Sequence, residues 1–405
     1  MSETCNQQCS GCETDCGERK PESLIAAPHA MSRIKKVIGV ISGKGGVGKT
    51  LVTSMLAVSM KRAGHSVAIL DADITGPSIP RAFGLTEMAS VNEMGLLPVK
   101  SGTGIPIMSV NLLMEDVTDP VVWRGPVIGG TVKQFWTDVI WGEVDYMFVD
   151  LPPGTGDVPL TVFQSLPLDG IVVVTSPQEL VGMIVEKAVK MAGLMDIPVL
   201  ALVENMSYFS CPDCGGKHYI FGESHIDRIA VKYGIFTVCK MPIEPKLAAA
   251  TDGGTIESFA GNDLDALVRL LESLESDNNM RIAVAYDNGQ IFQHFGHTES
   301  FKVYDFQNGI LESASIISAS GSGHGALAGF LKQNQVDTLI CGGIGAGAKQ
   351  ALEAAGIRLY AGVTGSANQA VADLLTNRLN YNPDEECEHR HSHEHGPGCD
   401  ESCHQ

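Results

Sequence analysis

Residues 43–50 of the chain read GKGGVGKT, a glycine-rich run that ends in lysine and threonine. Glycines let successive backbone N–H groups turn towards phosphate oxygens, and a helix that begins at such a loop favours an anion. Lys49 would bring a positive charge to the outer phosphates, and the Thr50 hydroxyl would ligate magnesium. The run therefore predicts a nucleotide-phosphate site. The residues that we expect there are Gly43, Lys44, Gly45, Gly46, Val47, Gly48, Lys49, Thr50 and Leu51.

Three aspartates follow apolar runs and could complete this site. Asp71 and Asp73 lie in DADITGPSIP, and Asp150 begins DLPPGTGD. The carboxyl ends of strands in a parallel sheet face the ligand, so Asp150 fits the carboxylate that holds a magnesium-bound water. Phosphoryl transfer requires mainly positioning and charge neutralisation, which these carboxylates and the lysines could supply. A role of Asp71 or Asp73 as a helix cap or turn residue stays open.

Cys211 and Cys214 form a second chemical feature, in the run CPDCGG. Two thiolates at this spacing can hold one metal centre, but tetrahedral zinc and a four-iron cluster both require four ligands. A symmetric dimer would supply four thiolates from two chains. A zinc knuckle or a plain turn is the alternative interpretation.

Both ends of the chain are rich in metal-binding residue types. The amino-terminal cysteines could hold a four-iron cluster or zinc within one chain, or remain unliganded thiols; they are Cys5, Cys9, Cys12 and Cys16. The carboxyl-terminal thiols and imidazoles would chelate transition-metal ions with little selectivity, or act only as an adventitious chelator. They are Cys387, Cys399, Cys403, His389, His391, His393, His395 and His404.

The elements that must position these residues are short apolar runs that alternate with helical segments. The runs cover 37–42, 66–73, 144–150, 170–176 and 198–205. Continuous apolar strands separated by helices predict an α/β fold with a largely parallel sheet buried on both faces.

A polar stretch, 275–280, separates this pattern from a smaller α/β pattern with strands at 281–287, 300–306 and 336–343. We therefore expect two folded units between two segments that cannot bury a core. The expected division is a flexible Cys-rich arm at 1–30, a P-loop ATPase domain at 31–275, a second domain at 281–376 and a Cys/His-rich tail at 382–405.

Composition limits the partners and the location. The formal net charge of −19 argues against a bulk nucleic-acid binder. The sequence has neither the run of about 18 apolar residues of a membrane helix nor a signal-peptide pattern, so we expect a cytoplasmic protein without membrane contact. The chain has 11 cysteines, an odd number for a disulfide framework, and in a reducing compartment clustered thiols indicate metal ligands.

The second lysine of the loop, Lys44, makes KGGVGKT resemble the deviant Walker A motif of MinD and ParA-like ATPases. That resemblance implies a nucleotide-sandwich homodimer in which Lys44 reaches the partner's ATP. It also implies that Asp73 orients the attacking water, that Asp71 supports the magnesium shell, and that Asn205 reads adenine. A turn role for Asn205 stays open.

Several motifs in order resemble the Mrp/ApbC iron–sulfur carrier P-loop ATPases between about residues 34 and 274. They are GKGGVGKT, DADITGPSIP, WRGP, DLPPGTGD, SPQELVGM and NMSYF followed by CPDCGG. The resemblance implies homodimers that bridge a [4Fe-4S] cluster through Cys211 and Cys214 and deliver it to apo-proteins. Eukaryotic-type relatives carry an amino-terminal ferredoxin-like cluster, and the amino-terminal cysteines here resemble its ligands, although their spacing is shorter.

The second domain resembles the NifX-like family through HFGH, SGSGHGAL and the glycine-rich stretch at 336–357. This resemblance implies an RNase H-like α/β fold that binds an iron–molybdenum or related metal–sulfide cluster. Backbone N–H groups around 342–347 could cradle such an anion. His294, His297 and His324 are ligand or donor candidates, with loop packing as the alternative.

Two cysteines outside the clusters require a separate interpretation. Cys341 ends an apolar run and is a weaker candidate for the second-domain site, because a lone strand cysteine is more often a small buried hydrophobe. Cys239 also lies in an apolar run, and we assign it to the core.

The sequence thus predicts an ATPase that carries an iron–sulfur cluster and is fused to a domain for a second metal–sulfide cofactor. Hydrolysis would serve cluster loading or release. One alternative is a MinD- or ParA-like positioning ATPase, which would require a membrane-binding helix or a basic DNA-binding face. The other is a metal storage or chaperone module in which the nucleotide is only structural.

Overall fold

A computed structural model of the chain describes residues 25–74, 76–114, 116, 125–154, 156–177, 181–274, 279–307, 310–319, 326–375 and 378–382. The four amino-terminal cysteines, His324 and the Cys/His-rich tail beyond residue 382 lie outside these ranges. The predictions made for those residues therefore remain predictions.

The strands and helices of the first domain alternate along the chain. The strands are β1 (Arg33–Ser42), β2 (Val67–Asp71), β3 (Ser90–Asn92), β4 (Gly95–Leu97), β5 (Val99–Lys100), β6 (Pro106–Met108), β7 (Glu143–Asp150), β8 (Gly170–Thr175), β9 (Val199–Glu204), β10 (Phe209–Ser210), β11 (Lys217–His218) and β12 (Thr237–Lys240). The helices are α1 (Lys49–Arg62), α2 (Ile79–Ala82), α3 (Gly125–Thr137), α4 (Asp157–Ser165), α5 (Val181–Leu194), α6 (Ile226–Tyr233), α7 (Pro245–Asp252) and α8 (Asp265–Ser273).

Eight of these strands form one sheet in the order β12-β9-β8-β1-β7-β2-β6-β5, and only β5 runs antiparallel to its neighbour. The side chains of β1 alternate between two hydrophobic cores, one on each face of the sheet. Val37 and Ile41 pack in one core, and Ile38 and Val40 pack in the other. Both faces are therefore covered, which explains the continuous apolar runs in the sequence. The prediction of a largely parallel α/β sheet is confirmed.

The second domain is a smaller mixed α/β structure. Its elements are β13 (Met280–Asp287), β14 (Gln290–Ile291), β15 (Ser300–Gln307), β16 (Ile310–Ser318), β17 (Thr338–Ile340), β18 (Arg358–Tyr360), α9 (Leu327–Gln333), α10 (Ala346–Ala355) and α11 (Ala367–Leu375). The sheet order is β16-β15-β13-β17-β18, with β14 paired to β13. The antiparallel strand β16 was not among the sequence predictions, because as an edge strand it is mostly exposed and lacks an apolar run.

The two domains contact each other through aromatic side chains. Phe236, between α6 and β12, lies with its ring centroid 6.2 Å from that of Tyr304 and 5.3 Å from that of Phe306. Both pairs are edge-to-face, the arrangement that aromatic rings favour. The second domain therefore packs against the segment that leads from α6 into the edge strand of the large sheet.

No helix in the described part of the chain is long and apolar enough to cross a membrane.

Candidate functional site

The glycine-rich loop lies between the end of β1 and the start of α1, as the sequence predicts. Gly46 and Gly48 have φ angles of +79° and +82°, which residues with a Cβ rarely adopt, so glycine is required at both positions. The Ser42 hydroxyl donates to the carbonyl of Lys44 at 3.0 Å and steadies the entry to the loop. The Lys44 side chain is half-buried, and Leu51 is half-buried against the core on the α1 side of the sheet.

Lys49 lies in a buried cluster of charge at the carboxyl ends of the strands. Its Nζ is 2.8 Å from Asp150 Oδ1 and 3.5 Å from Asp73 Oδ2. Burial opposes the charge of Lys49, but the carboxylates of Asp150 and Asp73 outweigh burial and raise its pKa. The lysine therefore stays protonated beside the loop, where it can neutralise phosphate charge.

Asp150 is fully buried and connects the carboxylate cluster to α1. It accepts hydrogen bonds from Thr50 Oγ1 and Thr53 Oγ1, both at 2.7 Å. Thr53 was not among the predicted site residues, although its position three residues after Thr50 puts both hydroxyls on one face of the helix. A hydroxyl and a carboxylate at this contact are the hard oxygen donors that magnesium requires, so the residues fit that ion.

Asp71 lies beside Asp150 because β2 and β7 pair in parallel with these two residues in register. Asp71 accepts from the hydroxyl of Ser109 at 2.9 Å and from the backbone N–H of Asp73 at 3.2 Å. Burial, and then the nearby charge of Asp150, raises the pKa of Asp71 to about 8. Ser109 was also missed, since only the pairing of β6 with β2 brings it there and no motif indicates it.

Asn205, at the end of β9, packs directly under the loop. Its Nδ2 donates to the carbonyl of Val47 at 3.0 Å, and its Oδ1 accepts from the N–H of Met206 at 2.9 Å. A Cβ at Gly48 would lie 2.2 Å from that Nδ2 atom, so the loop can approach Asn205 only with glycine there. The amide that the resemblance predicts to read adenine thus contacts the loop backbone.

The cysteine pair lies on a short hairpin that follows Asn205. Strands β10 and β11 pair antiparallel, and between them the N–H of Cys211 donates to Gly216 O at 2.8 Å. Backbone N–H groups of Cys214 and Asp213, in that order of effect, lower the pKa of the Cys211 thiol. Cys211 is half-buried and Cys214 is exposed. A thiol that ionises readily, next to a second thiol that is exposed, is suited to bind a metal.

Backbone hydrogen bonds anchor the start of the hairpin at the carboxyl end of the large sheet, the end at which the phosphate loop lies. The N–H of Ser207 donates to Met241 O at 2.9 Å, and the N–H of Ile243 donates to Tyr208 O at 2.7 Å. Met206 has a positive φ of 59°, an uncommon conformation for a side chain of its size. The chain therefore turns sharply between Asn205, which touches the loop, and the strand that leads to Cys211.

The described residues supply only two thiolates at this hairpin. Within the described ranges no group of three or more His, Cys, Asp or Glu side chains is arranged to hold a metal ion. Cys239 and Cys341 are buried, as predicted for small core residues. Burial raises the pKa of Cys239 to about 11, which keeps that thiol neutral and unreactive.

In the second domain the structure brings His294 next to the glycine-rich turn. His294 forms an isolated parallel β-bridge with Gly343, and the N–H of Phe295 donates to Gly343 O at 3.0 Å. The exposed His297 directly follows Gly296 in the sequence. A Cβ at Gly342 would lie 2.5 Å from Gln293 Cα, so this close approach requires glycine. The N–H of His297 donates to His294 O at 2.9 Å, so two of the three predicted histidines lie on one turn next to Gly343.

A glycine-rich loop between strand and helix, with a buried lysine, a threonine and carboxylates at the ends of a parallel sheet, defines a P-loop NTPase. The chain belongs to the ParA-type family described as NUBPL iron-transfer P-loop NTPase, whose model matches residues 33–274. A second model, described as dinitrogenase iron-molybdenum cofactor, matches residues 278–377.

Relatives and a solved structure support this family membership. The iron-sulfur cluster carrier protein of Clostridium perfringens is 42% identical over 272 residues, which cover 64% of this chain and 94% of that protein. That of Methanococcus maripaludis is 38% identical and covers 68% of this chain and 100% of that protein. A nucleotide-binding protein from Archaeoglobus fulgidus, solved in complex with ADP, is 44% identical with a TM-score of 0.53 and covers 57% of this chain and 91% of that one.

Proposed function

We propose that the protein is an ATP-hydrolysing carrier of iron–sulfur clusters. Two copies would hold one [4Fe-4S] cluster between the Cys211 and Cys214 thiolates of each chain and transfer it to apo-proteins in the cytoplasm. The observation that carries this proposal is the pair of accessible thiols, one with a lowered pKa, on a hairpin joined to the phosphate loop through Asn205. The names of the relatives agree with a cargo of this kind.

The nucleotide site would hold Mg-ATP with the loop and Lys49 around the phosphates and with Thr50, Asp71 and Asp150 on the magnesium side. Asp73 would orient the attacking water, and Lys44 would act on the nucleotide of the partner. Magnesium supplies charge neutralisation at the phosphates when it is bound. Hydrolysis would change the contacts between the loop and Asn205 and so the hold of the hairpins on the cluster.

The second domain would receive a preassembled metal–sulfide cofactor at the turn that carries His294 and His297. Imidazoles can donate hydrogen bonds to such a cofactor or ligate it, whereas the N–H groups of Gly342 and Gly343 already donate to the carbonyls of Phe292 and Gln293. The match of residues 278–377 to the cofactor-domain family supports this assignment.

Anaerobic reconstitution with iron and sulfide tests the carrier proposal. In a protein that lacks residues 1–24 and ends before residue 280, where no other cysteine cluster remains, the unmutated cysteine pair should bind about four iron atoms per two chains, the content of one four-iron cluster. Cys211→Ala/Cys214→Ala in the same shortened protein should lose this iron. If the double variant retained the iron, the cluster would be bound elsewhere.

Turnover of ATP tests the enzyme part. Lys49→Ala removes the buried positive charge, so hydrolysis should fall at least about 100-fold, the scale of losing one preorganised donor at a developing charge. Lys35→Ala is the matched control, because Lys35 forms an exposed ion pair with Asp145 far from the loop. Equal hydrolysis by wild type and Lys49→Ala would favour a storage module with a structural nucleotide.

A further inference from the structure

The segment that follows the cysteine hairpin exposes three large side chains in a row. Tyr219, Ile220 and Phe221 are 50%, 61% and 44% exposed. Among the described residues, the other exposed large hydrophobic side chains are not consecutive. Single exposed apolar residues are ordinary, whereas a contiguous patch marks an interaction site. We name these three residues the apolar turn.

The apolar turn is held in a defined conformation. The N–H of Gly222 donates to Tyr219 O at 3.1 Å, and Gly222 has a φ of +91°, which closes a tight turn. Lys217, at the start of the segment, places its Nζ 4.2 Å from the centroid of the Tyr208 ring at the base of the hairpin. A preorganised surface loses little conformational freedom when it binds a partner.

The position of the apolar turn points to one occupant. Cys214 is exposed on the same hairpin, and two thiolates leave a metal centre short of donors. If a second copy completes the coordination at a two-fold axis, the residues adjoining each cysteine pair meet their own counterparts across that axis. The apolar turn adjoins the pair through β11, so it would lie in the same interface.

Charge supports an apolar contact at this interface. The chain has a formal net charge of −19, so two copies repel each other at long range. Burial of apolar surface favours association without requiring charge complementarity, so it can offset this repulsion around the cysteines. Aromatic side chains at the centre of an interface are among the groups that contribute most to association.

We infer that the apolar turn, Tyr219 to Phe221, is the contact through which a second copy of this chain docks around the cysteine pairs. This inference rests on the proposed cluster carrier and adds the residues that bring the two halves of its site together.

The test compares the full-length variant Ile220→Glu/Phe221→Glu with Val91→Glu/Met94→Glu, which puts the same charges on exposed apolar residues of the β3–β4 hairpin. Sedimentation and bound iron are measured after anaerobic reconstitution. Like charges facing each other at a two-fold axis should prevent association. We expect the turn variant to sediment as a monomer with at least a five-fold loss of the iron that depends on Cys211 and Cys214, and the control to behave as wild type.

The outcomes separate this inference from the carrier proposal. If Cys211→Ala/Cys214→Ala removes iron while the turn variant keeps both dimer and iron, the inference fails and the carrier proposal stands. If the cysteine variant removes no iron, the carrier proposal fails. A turn variant that dimerises and holds iron but transfers it to apo-aconitase ten-fold more slowly would assign the apolar turn to recipients instead.

Folding is checked by the rise in melting temperature on adding Mg-ADP. Should the turn variant lack that rise, the milder Ile220→Ser/Phe221→Ser, which introduces no charge, replaces it. Serine removes most of the apolar surface, so this variant should also lose dimer and cysteine-dependent iron. A folded serine variant with wild-type dimer and iron would overturn the inference.

Discussion

The side-chain amide of Asn205 donates to the carbonyl of Val47 across 3.0 Å and so joins the end of β9 to the phosphate loop. The same side chain accepts from the N–H of Met206, the residue at which the chain turns towards the cysteine hairpin. A change in the loop on nucleotide binding would therefore reach the base of the hairpin through this side chain. The contact is the proposed route between ATP and the cluster site.

Replacing Asn205 with alanine should weaken both ends of that route. The variant leaves the Val47 carbonyl and the Met206 N–H without these partners, which should lower the free energy of unfolding by about 1–3 kcal/mol. We also expect the rate of iron release to lose its dependence on ATP. Chemical denaturation and the transfer of iron to a chelator with and without ATP measure the two effects.

The matched control is Asn334→Ala, because Asn334 also donates its amide to a backbone carbonyl, that of Phe330 at 2.8 Å, but in the second domain. It should lose stability and keep the effect of ATP on iron release. An Asn205→Ala protein whose iron release still responds to ATP as in wild type would contradict the proposed route.

The proposed action of Lys44 on the partner's nucleotide can be tested by mixing two inactive variants. Lys44→Ala lacks the lysine that the partner site needs, and Asp73→Asn lacks the carboxylate of its own site. Random exchange gives half mixed dimers, each with one intact site, so an equal mixture should recover about a quarter of wild-type hydrolysis. If Lys44 acts only within its own chain, the mixture stays inactive.

The raised pKa of Asp71 predicts how the stability of the nucleotide-free protein depends on pH. Between the ordinary value of 3.8 and about 8, the folded chain keeps a proton on Asp71 that the unfolded chain has released. The free energy of unfolding therefore falls as pH rises through this window, by at most about 1.4 kcal/mol per pH unit from this group. Above pH 8 both states are ionised, and the contribution stays constant.

Denaturant unfolding of wild type and Asp71→Asn at pH 6, 7 and 8 without nucleotide measures this contribution. The difference in unfolding free energy, wild type minus variant, should decrease with increasing pH. Parallel pH profiles would show that Asp71 ionises normally in the folded protein.

The contact of Phe236 with Tyr304 and Phe306 predicts that the two domains unfold together. Phe236→Ala removes the aromatic part of the contact and leaves Ile310, which also packs against the first-domain core, so calorimetry should show the transitions of the two domains moving apart. Phe259→Ala serves as control, because Phe259 packs against the core of the first domain. A single transition in the Phe236 variant would mean that other contacts hold the domains together.

The sequence alone predicts the elements of the first domain that carry motifs. The run at 37–42 lies within β1, and the loop, Asp71, Asp73 and Asp150 converge around Lys49 at the carboxyl ends of β2 and β7. The positions of these residues in the fold can be predicted because a phosphate loop and buried parallel strands impose fixed local spacing and continuous apolar runs.

Other features depend on which strands become neighbours in the sheet, and no sequence motif identifies those neighbours. Ser109 reaches Asp71 only because β6 pairs with β2, and Phe236 reaches Tyr304 only because the second domain packs beside β12. Asn205 could be identified by its resemblance to an adenine-reading residue, but its contact with Val47 depends on how β9 ends below the loop. Tertiary packing decided these contacts, and no local pattern encodes it.

The exposure of Cys214 decides how easily other molecules reach its sulfur. In the proposed carrier, an acceptor could reach that sulfur without unfolding of the protein. Dioxygen and peroxide gain the same approach, and accessible thiols are the ones most open to oxidation. Access for a recipient and vulnerability in air would thus arise from one position on the hairpin.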